Sequence, residues 1–158
     1  MNIRLYQKSD SLPLAELFFN TIRTVNRSHY SDEQVKAWAP DLSSWDMQGW
    51  EKKFENKWVF VAQESDVLAG FGELEPNGHI DRFYIAEHAV GKGVGRLIYA
   101  AIEEKAKVQK IERLFVEASI TARPFFEKMG FVLVKEQTVG RNNVFFTNFV
   151  MEKTVETR

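Results

Sequence analysis

Val90-Gly91-Lys92-Gly93-Val94-Gly95-Arg96 decides how this chain is read. It follows the strand-like run His79 to Ile85. It opens a stretch in which Val94, Leu97, Ile98, Ala101, Ile102 and Val108 recur at helical spacing. Glycines at alternate positions let the backbone approach a ligand closely and enter conformations closed to other residues. The first N–H groups of the following helix lack intrahelical partners, and its dipole favours negative charge. The segment therefore predicts a phosphate cradle, with Lys92 and Arg96 adding charge. It is not a P-loop, because no G-x-x-x-x-G-K-[ST] string is present. Nor does it suit a dinucleotide fingerprint, since it reads G-x-G-x-G and lies past mid-chain.

Outward from this loop the order is regular. Upstream, Ile3 to Gln7 is a strand, and Asp10 or Ser11 caps a helix with Pro13 in its first turn. Ser31-Asp32-Glu33-Gln34 is a capping box for a second helix that stops at Trp38-Ala39-Pro40. A third helical stretch covers about 44 to 56. Trp58 to Gln63 and Val67 to Leu74 form a hairpin over Glu64-Ser65-Asp66. Downstream, Arg113 to Ala118 is a strand, and a short helix from Thr121 ends at Gly130. Phe131 to Val139 and Val144 to Met151 are the last two strands. Three strands before the central helix favour an α+β fold: a mixed, mostly antiparallel sheet of about seven strands with helices on both faces. With 158 residues and no linker, repeat or low-complexity tract, residues 1–158 read as a single domain.

Composition narrows the classes. The 21 basic and 22 acidic side chains give a net charge of −1, so no general positive field for nucleic acid exists. The absence of cysteine excludes disulfides, thiolate metal sites and cysteine nucleophiles. His29 and His88 have no partner at metal spacing, so no metal is expected. The longest apolar run, Leu97 to Ile102, is far short of the ~20 residues that span a bilayer, and the first residues lack a signal-peptide core. A cytoplasmic protein without membrane contact is the expectation.

The loop resembles the signature Q/R-x-x-G-x-G/A of the GNAT superfamily of acyl-CoA-dependent N-acyltransferases. Val90-Gly91-Lys92-Gly93-Val94-Gly95 matches both glycines, with Val90 in place of Gln/Arg. A second match is Glu117-Ala118-Ser119-Ile120-Thr121-Ala122-Arg123-Pro124-Phe125-Phe126-Glu127-Lys128-Met129-Gly130-Phe131, which looks like that family's fifth strand and fourth helix. Within the superfamily the chain looks like a bacterial subgroup of poorly assigned substrate.

The resemblance implies acetyl-CoA as co-substrate. Its pantetheine arm would lie along Phe83, Tyr84 and Ile85, and its pyrophosphate on Val90, Gly91, Lys92, Gly93, Val94, Gly95 and Arg96. Ser119, Phe125 and Phe126 would line the thioester, one of the two adjacent phenylalanines serving the core instead. The reaction implied is acetyl transfer to a primary amine of a small molecule or peptide. An alkyl ammonium with pKa near ~10.4 must first lose a proton, so a base or a desolvating pocket is required. The family's spacing, counted back from Val90, falls on His79. Strand alternation puts His79, Asp81 and Phe83 on one face, and a bulge would reverse that parity. Glu73 on the preceding strand is a third candidate base. Phe126 stands where the family often has a tyrosine acid, which leaves Tyr84, Tyr30, Ser119 or solvent. His29, Tyr30, Trp38 and Asn148 are expected to build the acceptor site, with Trp45 and Arg141 nearby. A non-catalytic acyl-CoA-binding regulator is the alternative, and a homodimer is left open.

Overall fold

The strands pair into one seven-stranded sheet. They are β1 (Asn2–Leu5), β2 (Trp58–Glu64), β3 (Val67–Leu74), β4 (His79–Ile85), β5 (Arg113–Ala118), β6 (Val132–Arg141) and β7 (Val144–Thr154). Their spatial order in this computed structural model, which describes residues 1–157, is β1-β2-β3-β4-β5-β7-β6. Every neighbouring pair is antiparallel except β4 and β5. That parallel pair shares only two register positions, His79↔Phe115 and Ile80↔Val116. Beyond them the two strands part, and the sheet opens at its middle.

The helices are α1 (Ser11–Thr24), α2 (Asp32–Trp38), α3 (Met47–Lys52), α4 (Val94–Val108) and α5 (Arg123–Lys128). The stripe predicted for α4 buries Ile98 and Ile102 against one sheet face, with Leu114, Phe126, Phe131 and Met151. Gly72 on β3 permits this approach, since a Cβ there would stand 2.7 Å from Ile98 Cγ2. The opposite face is covered by α1, α2 and α3, burying Leu14, Ile22, Val35, Trp50 and Phe71. The capping box predicted at Ser31 forms: Gln34 N donates to Ser31 Oγ at 3.1 Å, and Ser31 N donates to Gln34 Oε1 at 2.9 Å.

Two expectations are corrected. The helix read over 44 to 56 shortens to α3, preceded by a 3₁₀ turn at Leu42–Ser44. Trp45 between them is extended (φ −77°, ψ 140°), and its indole N–H donates to Pro40 O at 2.8 Å, which breaks the run. The face parity of β4 also changes. Gly72 pairs with Phe83 but Leu74 pairs with Ile80, so β4 carries an extra residue opposite β3. This bulge sends Ile80 and Phe83 to the α4 face, while Tyr84 packs under α1 and Arg82 lies over Trp50. Phe83 therefore leaves the side on which alternation placed it with His79 and Asp81.

Candidate active site

The glycine loop has the backbone its sequence requires. Gly91 and Gly93 have φ of +79° and +82°, and a Cβ added at either would meet nothing within 4 Å. These positions are closed to side chains by conformation and open in space, as expected of a surface against which a ligand lies. Gly93 is the N-cap of the 15-residue α4, whose first N–H groups point into the loop. Val90, Lys92 and Arg96 are exposed around it. Gly95 differs: a Cβ there would come within 3.0 Å of Phe125 Cε1, so this glycine admits the α5 ring.

Of the two adjacent phenylalanines, Phe126 is the core residue. It is 1% exposed, with ring centroids 5.4 Å from Phe83 and 5.2 Å from Phe131. The expectation that Phe126 lines the thioester is corrected by this enclosure. Phe125, half-buried, is the one that faces the glycine loop and Phe83, at 5.2 Å.

On the opposite face a cleft of about 680 Å³ opens between α1, α2, α3 and the parting strands. Its apolar walls include Phe18, Tyr30, Trp38, Trp45, Trp50, Tyr84 and Phe146, and its polar lining includes Lys53, Asp81, Arg82, Glu117, Ser119, Arg141 and Asn148. Asp81 Oδ2 accepts from Lys57 Nζ at 2.9 Å. Burial would raise its pKa, but Lys57, then His79 and Arg82, hold the carboxyl below the usual range. Asp81 therefore stays ionised through neutral pH.

His79 sits between two carboxylates. Its Nδ1 bonds Glu75 Oε1, its Nε2 bonds Glu117 Oε1 at 2.9 Å, and its ring stacks on Phe115. Burial alone would lower the imidazole pKa, yet Glu117 and Glu75 outweigh it and raise the value to about 9. This ring is a cation at neutral pH. The expectation that His79 accepts the amine proton is corrected on that ground, because both its nitrogens already hold protons.

Glu73 is also corrected as a base. It is fully buried and pairs with Arg82 through Nε (2.5 Å) and Nη2 (2.6 Å), with Lys57 Nζ at 3.5 Å. Its charge is spent beneath the cleft, where no substrate reaches it.

The remaining expected residues divide. Trp38 lines the cleft, edge-on to Tyr30, Tyr84 and Phe146. Tyr30 lines it with its ring, but its hydroxyl is committed: it accepts from Ile120 N at 2.8 Å and donates to Thr147 O at 3.3 Å. Asn148 faces the cleft with a buried Oδ1 that has no partner. Burial pushes the Tyr84 phenol well above its ordinary pKa, against the smaller pull of Arg141 and Trp38. Ser119 Oγ accepts from Ala122 N at 3.0 Å, turning the chain into α5. His29 does not line the cleft; its exposed ring bonds Thr121 Oγ1 at 2.9 Å.

Residues 26–153 match the family described as acetyltransferase (GNAT) domain. The chain belongs to the GNAT acetyltransferase family, a family of acyltransferase enzymes. It is 33% identical over 152 residues to an uncharacterized N-acetyltransferase, YafP, of Escherichia coli K12, covering 96% of this chain and 94% of the relative. A crystal structure of a GCN5-related N-acetyltransferase from Rhodopseudomonas palustris is 30% identical, with a TM-score of 0.91 over 98% of this chain and 95% of that one. The PaiA N-acetyltransferase of Thermoplasma acidophilum, solved in complex with coenzyme A, shares the fold at 20% identity and a TM-score of 0.78, over 98% and 100% of the two chains.

In this GNAT domain the sequence reading missed Glu117, Arg82, Lys53 and Glu75. Glu117 was visible as a polar residue on a strand ending at the loop before α5, and strand alternation could have aimed it. The other three carried no signal, because the bulge and the long-range pairings that place them are tertiary.

Proposed function

We propose that this protein transfers an acetyl group from acetyl-CoA to a primary amine of a small molecule or peptide, with both bound at once. The observation that carries this reading is the meeting of two unlike half-sites at the one place where the sheet opens. The glycine loop Gly91–Gly95 lies on the α4 side of β4 and the charged cleft on the other. The open cradle suits a pyrophosphate, and the coenzyme A held by the Thermoplasma neighbour supports the assignment. Acetyl-CoA, when bound, supplies an acyl carbon activated as a thioester and a thiol leaving group.

The chain's own groups divide the remaining work. Backbone N–H groups of Gly91 to Gly95, with Lys92 and Arg96, hold phosphate oxygens. Phe83, Tyr84 and Ile85 are paired with β3 on one edge, and their other edge, past the last shared pair of β4 and β5, can bond an amide-bearing arm. A backbone N–H there also donates to the oxygen on which negative charge develops. Asp81, ionised and facing the cleft, attracts the acceptor's ammonium. Glu117 takes the proton at a carboxylate oxygen, directly or through water. The His79 cation fixes its orientation as a positioning residue. Tyr84 keeps its proton through the neutral range and can hydrogen-bond the departing sulfur from Oη, while the thiolate, whose pKa resembles the ~8.5 of cysteine, takes its proton from solvent. Phe126 has no proton to give.

The test is free-thiol release from acetyl-CoA across a panel of primary amines. Amine-dependent release supports the reading. Tight CoA binding without release by any amine would favour a non-catalytic acyl-CoA sensor.

A further inference from the structure

An amine acceptor accounts for the acidic side of the cleft but not for its basic side. Arg82 spends Nε and Nη2 on Glu73, and its guanidinium lies 4.5 Å over Trp50 and 4.6 Å over Phe54. Its Nη1 is buried with no partner, on a residue only 9% exposed that lines the cleft. A buried, charged N–H donor left unpaired is costly, and such groups mark places where a partner arrives. Lys53 from the end of α3 and Arg141 from the end of β6 line the same cleft. Desolvation at the cleft wall, then the charges of Arg82 and Arg141, depress the Lys53 pKa and outweigh Asp81 and Glu73. Like charges have thus been gathered without a protein counter-ion for each.

The acidic groups of the cleft do not neutralise them: Asp81 is paired with Lys57 and Glu117 with His79, and Asp46, the N-cap of α3, makes no ion pair with Lys53, Arg82 or Arg141 among the described residues. Trp38, Trp45 and Trp50 stand in the same wall. We propose that Lys53, Arg82 and Arg141 form a subsite for a carboxylate carried by the acceptor, whose body is aromatic or apolar and whose amine faces Asp81 and Glu117. The acceptor class is then an amine that is also an acid, with the flat body resting on the tryptophans. This deepens the acetyl-transfer reading and rests on it for the role of the amine, but the anion subsite can be tested apart from it.

The direct probe is benzoate against benzamide, titrated into the full chain without acetyl-CoA and followed by tryptophan fluorescence. The two differ in charge at nearly constant shape. Benzoate should bind at least about tenfold more tightly than benzamide, as charge-assisted pairing predicts. The preference should fall toward unity in Lys53→Gln and Arg141→Gln, both exposed positions whose replacement spares the fold. A second arm compares 4-(aminomethyl)benzoate with its carboxamide as acceptors, read as the ratio of kcat/KM in wild type and in each variant. That ratio should be high in wild type and collapse in both variants. Equal binding of benzoate and benzamide, or a preference unchanged in both variants, overturns the subsite. Carboxylate binding without turnover of any amine would instead overturn acetyl transfer and leave the anion subsite standing.

Discussion

The two faces of the sheet build their halves of the site from different materials. On the α4 face the half-site is backbone: Gly91 and Gly93 at positive φ, the start of α4, and no side chain within 4 Å of where a Cβ would stand. On the other face it is side chains drawn from many elements, with Asp81, Arg82, Glu117, Lys53 and Arg141 charged around tryptophan walls. A backbone cradle recognises a feature common to every turnover, the phosphate of a carrier. A side-chain cleft can be altered residue by residue, and so sets which acceptor is chosen. The difference also separates variants that destroy binding from those that alter chemistry.

The largest effect should come from beneath the cleft. Glu73→Ala strands the buried Arg82 charge and should cost about 3–5 kcal/mol in denaturant unfolding. A variant as stable as wild type but without turnover would restore Glu73 as the base. Next, Asp81→Asn and Glu117→Gln should each lower turnover by about 10²-fold at neutral pH, with CoA affinity nearly unchanged. Loss of CoA binding in either would erase the division between the faces. Phe126→Tyr puts a hydroxyl into an enclosed core and should destabilise by about 1–3 kcal/mol without raising turnover. A faster enzyme would show that this ring does reach the leaving group.

The smallest effect is a pH dependence. The fold raises the His79 pKa from 6.5 to about 9, so its ion pairs stabilise fully below 6.5, fade as pH rises, and are lost above about 9. The melting-temperature gap between wild type and His79→Gln should be widest near pH 6 and closed by about pH 10. A gap that widens with pH would mean the ring is buried neutral.

How far the sequence could be read follows the same division. The cradle was legible because glycines, a strand end and a helix start are local signals. The sheet was legible too, since β3, β4 and β5 have the bounds that alternation predicts. The cleft was legible only in part. Asp81, Tyr84, Trp38 and Asn148 reach it, but His29 is spent on Thr121 and Glu73 on Arg82. Parity failed at the β4 bulge, which no residue type announces. The protonation of His79 depends on Glu117, which lies 38 positions away in sequence.

The central claim is that the α4 face binds the carrier chiefly through the backbone of the glycine loop. Calorimetric titration of CoA into wild type and Gly93→Val tests it most directly. A Cβ there has no atom beyond its chain neighbours within 4 Å, so valine adds chiefly left-handed strain of about 1–2 kcal/mol, while its methyls fill the space a phosphate would take. We expect saturable binding to wild type and none to the variant, with the variant still unfolding cooperatively. Equal CoA affinity in a folded Gly93→Val protein would contradict the account.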